Sequence, residues 1–238
     1  MVRTDADLRP FVPYPLVPAD DHRAFLKVYQ LKYRPVGVRP KPPGFSQYLQ
    51  VCLCVLAAPP GEPMGHYNLM LWELREWSLG GSEPYGWRKK LASVEVTSLF
   101  PTPDRYDVDD GTDWYQAEVH QFGRPIVELR AELSGGGCPD PGLAAGFYSV
   151  RYRDDGSPID QTATAEVTRI TVEEPYLGPP ISGQGSLRIL PGIGYSPEEV
   201  AMLDAFADLE VEGVVLRDIG WRRDAPQSQT FIYPGNRS

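Results

Sequence analysis

Tyr48-Leu49-Gln50-Val51-Cys52-Leu53-Cys54-Val55-Leu56-Ala57 is the stretch that decides the fold class. Val51, Leu53 and Val55 fall on one side of an extended chain, and Gln50, Cys52 and Cys54 on the other. That two-residue period belongs to a β-strand and not to a helix. Upstream, residues 24–33 also read as a strand, with Lys27 sharing a face with Phe25, Tyr29 and Leu31. A proline-rich loop, 34–45, separates the two. Downstream, residues 64–72 form the next strand candidate. Residues 114–121 and 125–133 flank a short turn at Phe122-Gly123-Arg124, the pattern of a hairpin. Residues 147–153 and 161–172 are strands joined by Asp154-Asp155-Gly156-Ser157-Pro158, a strong turn signal. Closing strands are expected at 211–219 and 229–233, and a further strand at 93–98.

Helices are few. Residues 4–9 suit a short helical turn capped by Thr4 or Asp5 and stopped near Pro10. Ser196-Pro197-Glu198-Glu199 opens the one clear helix. Ser196 suits the cap, Pro197 the first turn, and Glu199 completes a capping box. Val200, Leu203, Phe206 and Ala207 give that helix its apolar stripe. The 25 prolines and 23 glycines punctuate short apolar runs. The expectation is a mainly β protein with few short helices, folded as a single domain over 1–238, its sheet rolled or stacked to hide its edges.

Composition narrows the function. With 42% hydrophobic residues in 238, the chain can bury a core without staples. Its net charge of -9 disfavours nucleic acid, which needs a clustered cationic surface, and gives no attraction to an anionic membrane. Cys52, Cys54 and Cys138 are an odd set without framework or zinc-ribbon spacing, so reduced thiols are expected. His22, His66 and His120 are scattered, so neither a metal nor another cofactor is expected. The N-terminus is polar, and no apolar run reaches about 18 residues. A cytoplasmic protein is the expectation.

The chemistry concentrates in Gly81-Ser82-Glu83-Pro84-Tyr85-Gly86-Trp87-Arg88-Lys89-Lys90-Leu91-Ala92. A lysine becomes a nucleophile at neutral pH only if its ammonium form is disfavoured, by an apolar site or by a neighbouring cation. Two consecutive lysines on an extended segment point to opposite faces, so one can turn inward. The bland alternative is a solvated basic turn. Elsewhere, Glu73 and Glu76 near Arg75 read as surface ion pairs of little energetic worth. Glu95 alternates with Val94 and Val96 and takes no role.

This segment resembles the acetoacetate decarboxylase superfamily. The family carries Gly-Arg-Glu, four residues, then Pro-Lys-Lys-Leu. Gly81, Glu83, Lys89, Lys90 and Leu91 fall in that register without a gap. Arg3-Thr4-Asp5 through Pro15-Leu16 is similar to an N-terminal family segment. Asp155-Gly156-Ser157-Pro158 matches a family turn. Val167 through Val172, Tyr176, Gly178-Pro179 and Gly185 through Arg188 resemble its C-terminal third. The resemblance implies an antiparallel sheet and cone-shaped β-barrel enclosing the lysine, in a homo-oligomer. It implies Lys89 as Schiff-base lysine and Lys90 as its cationic neighbour. Activation of that lysine by its surroundings is an established property of the family.

The departures bear on the reaction. Where the family places a glutamate after a Tyr, this chain has Gln50 in Tyr48-Leu49-Gln50. Lys27 falls in register with a second family glutamate, and Arg88 replaces the usual proline. The family's substrate-pairing arginine precedes the segment that begins here at Arg3, so the chain is expected to start after it. Lys89 and Lys90 are thus the catalytic candidates, with Lys27, Tyr48, Gln50, Glu83, Trp87 and Arg88 around the substrate. Three functions remain open. The first is a Schiff-base lyase that decarboxylates, dehydrates or cleaves a keto or 2-oxo acid, as in natural-product pathways. The second is a repurposed barrel that cyclises or isomerises a larger polyketide-like substrate without an imine, among the aromatics Tyr48, Tyr67, Trp72, Trp77, Tyr85 and Trp87. The third is a non-catalytic binding protein.

Overall fold

A computed structural model of the chain describes residues 1–32, 47–74, 87–96, 114–133, 146–152, 164–171, 173–177, 180–207, 209–217, 219–222 and 228–233. In chain order, β1 (Val2–Arg3) precedes a 3₁₀ turn at Arg9–Phe11, then β2 (Val17–Pro18), β3 (Arg23–Lys32), β4 (Gln47–Ala58) and β5 (Gly65–Glu73). Two short strands follow, β6 (Lys89–Leu91) and β7 (Ser93–Val96). A hairpin of β8 (Trp114–Gln121) and β9 (Arg124–Glu132) comes next. After it run β10 (Phe147–Tyr152), β11 (Ala165–Ile170), β12 (Glu173–Leu177) and β13 (Ile181–Ile189). Helix α1 (Pro197–Asp204) leads to β14 (Glu210–Val211), β15 (Val214–Leu216), β16 (Ile219–Arg222) and β17 (Ser228–Tyr233).

The larger sheet runs β14-β1-β3-β4-β5-β10-β11-β17, with β2 added on β4 and β6 on β5. It curls into a half-barrel. A second sheet runs β15-β13-β9-β8-β7, and β12 pairs with β16. The mainly β expectation therefore holds. Among the described residues two ladders are parallel, however: β5 with β6 and β5 with β10. A parallel pair needs a crossover of a dozen or more residues, and the chain between Glu73 and Lys89 is long enough to supply one.

The alternation of β4 divides the larger sheet into two faces. Val51, Leu53 and Val55 are fully buried and share one core cluster with Trp72, Tyr67, Tyr148, the helix residues Met202 and Leu203, and Phe206 just beyond the helix. Burying side chains of this size stabilises by about 1.5–3 kcal/mol each. The opposite face carries Gln50, Cys52 and Cys54. A bulge lies between β4 and β5: Leu53 faces Met70, whereas Cys54 faces Asn68, leaving Leu69 as the extra residue. An inserted residue reverses the parity of everything beyond it. Leu71 and Glu73 therefore share the Gln50–Cys52 face on one side of the bulge, and His66 and Asn68 share it on the other.

Local signals behave unevenly. Ser196 accepts from the Glu199 amide at 3.2 Å, and the Glu199 carboxylate accepts from the Ser196 amide at 2.8 Å, so the capping box forms. The buried helix residues are Met202 and Leu203, followed by buried Phe206 just after the helix, with Val200 half-buried and Ala207 exposed. The helix ends at Asp204, so Ala207 lies beyond its periodicity. The expected turn at 4–9 is displaced to Arg9–Phe11. Thr4 instead donates its hydroxyl to the Ala205 carbonyl at 2.9 Å, tying the N-terminal segment to the end of α1. The strand expected over 211–219 is divided among β14, β15 and β16, which belong to different sheets. In the β8–β9 hairpin Phe122 and Gly123 have φ of 50° and 73°. Two left-handed residues match the twist of the flanking strands. No described helix is long and apolar enough to cross a membrane.

Candidate active site

Lys89 enters the curled face from β6. In the parallel ladder it stands opposite Leu71, and Leu91 stands opposite Glu73. Lys89 and Glu73 are therefore diagonal neighbours on one face, within reach of long side chains. Their charged ends meet: Lys89 Nζ lies 3.1 Å from Glu73 Oε1, with the two side chains only 6% and 1% exposed. The indole of Trp87 lies beside the ammonium, its ring centroid 5.6 Å from Nζ. Glu73 is thus a fully buried carboxylate, not the surface ion-pair member its neighbours Arg75 and Glu76 imply. It ends a strand whose nine residues are all buried, and the β6 ladder covers it.

The cross-strand register assembles the remainder. Lys27 faces Cys52, Cys52 faces Leu71, and Leu71 faces Lys89, so both lysines lie on one row across four strands. The adjacent row is Tyr29, Gln50, Glu73 and Leu91. Lys27 Nζ sits 5.1 Å from the centroid of Phe147. The thiol of Cys52 registers the charges around it. Burial pushes it well above the ordinary thiol range and Cys54 raises it further, Lys27 lowers it, Glu73 raises it and Lys89 lowers it. Cys52 lies between Lys27 on one neighbouring strand and Leu71 on the other, with Lys89 one strand further on.

Further along, His66 is buried, with its ring 5.3 Å from Phe25 and its Nδ1 3.8 Å from the Cys54 sulfur. Asn68, 3% exposed, lies between His66 and the bulge. Among the described residues, no group of three or more His, Cys, Asp or Glu stands close enough to hold a metal ion.

Lys90 lies elsewhere. It points to the opposite face, where Nζ is 2.8 Å from the Glu199 carboxylate, 3.4 Å from the Gly194 carbonyl and 4.9 Å from the Tyr195 ring centroid. Alternation along β6 requires this separation. Tyr195 in turn accepts from the Trp72 indole at 2.7 Å. Arg88 also leaves the face, with its guanidinium 3.7 Å from the Met202 sulfur. Of the sequence candidates, the structure brings together Lys89, Lys27, Gln50 and Trp87, and parts them from Lys90 and Arg88. Tyr48 lies in β4 opposite Leu31. Glu83 falls outside the described residues.

Glu73, His66 and Asn68 escaped the sequence reading. Glu73 had one available signal: it is a lone charge closing an otherwise uncharged strand, where a buried carboxylate needs a partner. The parity reversal at Leu69 left no comparable sign for His66 and Asn68.

Comparison with known proteins agrees with this architecture. The family model for acetoacetate decarboxylase matches residues 1–217. No curated protein matches the sequence. Among solved structures, an acetoacetate decarboxylase-like enzyme from Sphingomonas wittichii RW1 is similar with a TM-score of 0.67 at 19% identity, over 98% of this chain and 86% of that one. The enduracididine biosynthesis enzyme MppR with bound HEPES gives 0.65 at 15% identity, over 99% and 83%. MppR complexed with the condensation product of pyruvate and imidazole 4-carboxaldehyde gives 0.64 at 15%, over 93% and 85%. At these identities the likeness is one of fold.

Proposed function

Since the chain belongs to the acetoacetate decarboxylase family, we propose that it is a Schiff-base enzyme in which Lys89 condenses with the carbonyl of a small keto or 2-oxo acid. The observation that carries this reading is the burial of Lys89 on the curled face, beside the Trp87 indole and with an acid–base group, Glu73, in contact. A lysine held this far from water, at 6% exposure, serves poorly as a solubilising charge and well as a nucleophile.

The neutral amine of Lys89 attacks the carbonyl carbon, forming a C–N bond while the carbonyl π electrons move to oxygen. Loss of that oxygen as water leaves a protonated imine. The iminium then draws electrons from a bond one carbon away. For dehydration, an α-proton leaves first and the enamine so formed expels a β-hydroxide; otherwise carbon dioxide or an aldehyde leaves, according to whether the bond broken is to a carboxylate or a carbinol carbon. The electrons reside in an enamine until a proton returns. Lys27, on the same row as Lys89, adds a second cation to this face, which favours a substrate bearing a carboxylate. The MppR complex formed from pyruvate supports the same substrate class and a place in natural-product metabolism.

Sodium borohydride reduction with acetone, pyruvate and acetoacetate, read by peptide mass spectrometry, tests the reading. The expected result is a reduced adduct on Lys89 in the wild type and none in Lys89→Ala. A folded wild type that yields no adduct with any of the three overturns it and favours an imine-free cyclisation or isomerisation.

A further inference from the structure

The site holds a carboxylate at the end of β5. Glu73 Oε1 is 3.1 Å from Lys89 Nζ, ion-pair distance from the nitrogen that would react. The side chain is 1% exposed, so bulk water does not compete for that contact. Directly across the ladder from Glu73 stands Gln50, 9% exposed and on the same face. An amide in that position accepts and donates hydrogen bonds but cannot carry a proton away. Of the described groups that face Lys89, Glu73 is the one within contact distance that accepts a proton and gives it back.

We infer that Glu73 is the proton-transfer group of this site, the general base and acid that serves Lys89. The inference rests on the Schiff-base reading and adds to it the residue that moves the protons. In imine formation, Glu73 takes one proton from the Lys89 ammonium. The freed nitrogen lone pair attacks the carbonyl carbon, and a second proton passes from nitrogen to the new alkoxide. Glu73 then returns its proton to that hydroxyl, which departs as water as the nitrogen lone pair forms the C=N bond. Three ammonium protons are thereby accounted for: one stays on the iminium nitrogen and two leave in water. In the iminium, the Glu73 carboxylate removes a proton from the adjacent carbon. The C–H electrons form C=C and the C=N π electrons return to nitrogen. Reversal with a solvent-derived deuteron labels the ketone.

The test uses acetone and pyruvate as probes in D₂O. Proton NMR follows α-hydrogen exchange, and borohydride trapping is run on the same samples. Glu73→Gln is expected to keep a trappable adduct on Lys89 at long incubation and to slow α-exchange by about 10²–10⁴-fold, the range for loss of a positioned acid–base group. Returning the carboxylate from the neighbouring strand, in Gln50→Glu/Glu73→Gln, is expected to recover at least about a tenth of the lost rate, which a purely structural role would not predict. Glu73→Asp keeps the charge and so retains the ion pair if Glu73→Gln fails to fold. It is expected to exchange about tenfold more slowly because its carboxylate is one methylene shorter. Normal exchange in Glu73→Gln, or in a folded Glu73→Asp, overturns the assignment while leaving Lys89 in place. Absence of any wild-type adduct removes the Schiff-base reading and the assignment together.

Discussion

Remove either charge of the Lys89–Glu73 pair and the other is stranded inside the sheet. Two unit charges 3.1 Å apart attract by about 5 kcal/mol at an effective dielectric of roughly 20. Burying the two ions costs several kcal/mol of that, so the net worth of the pair against apolar replacements is small. Truncating one partner is different, because the desolvation cost of the survivor is no longer offset; such losses run at about 3–5 kcal/mol. Glu73→Leu and Lys89→Met are each expected to destabilise by at least about 3 kcal/mol. For a chain of this length the urea slope is roughly 2–3 kcal/mol per molar, so the midpoint should fall by about 1 M or more. The double variant removes both charges at once. It should be more stable than the sum of the single losses implies, by at least about 2 kcal/mol. Urea melts of the four proteins followed by tryptophan fluorescence measure this coupling directly. Single losses that add to within about 0.5 kcal/mol would refute the reasoning, since independent sites behave that way and a buried pair in contact cannot.

Two further outcomes follow from the geometry. Gly146 has a φ of 74°, and a Cβ there would sit 2.4 Å from the Ile170 carbonyl oxygen; Gly146→Ala is expected to cost about 2–4 kcal/mol, and a change in Tm below about 2 °C would count against it. Burial pushes the hydroxyls of Tyr115 and Tyr195 up to about 12 from an ordinary 10.0, so their contribution to stability is complete below pH 10 and is lost as pH rises toward 12; a urea midpoint that fails to fall across that window, or a Tyr195→Phe variant with an undiminished slope, would contradict it.

Elements whose causes are local could be read from consecutive residues. Alternation in 48–57 is a property of consecutive residues, so β4 and its two faces were legible. So was the capping box at Ser196 and Glu199, which needs only a spacing of three. The parting of Lys89 from Lys90 was legible through strand alternation. The tertiary structure alone decided what lies beside Lys89. Glu73 reaches it only because β6 pairs in parallel with β5, with a register that no local pattern encodes. His66 and Asn68 share the face only because Leu69 is bulged out, and a single inserted residue reverses side-chain direction without changing composition. Arg75 and Glu76, adjacent in sequence, made Glu73 look like a surface charge; the ladder with β6 buried it. Register and bulges arise from pairings between distant segments, and those pairings bring an acid to the lysine.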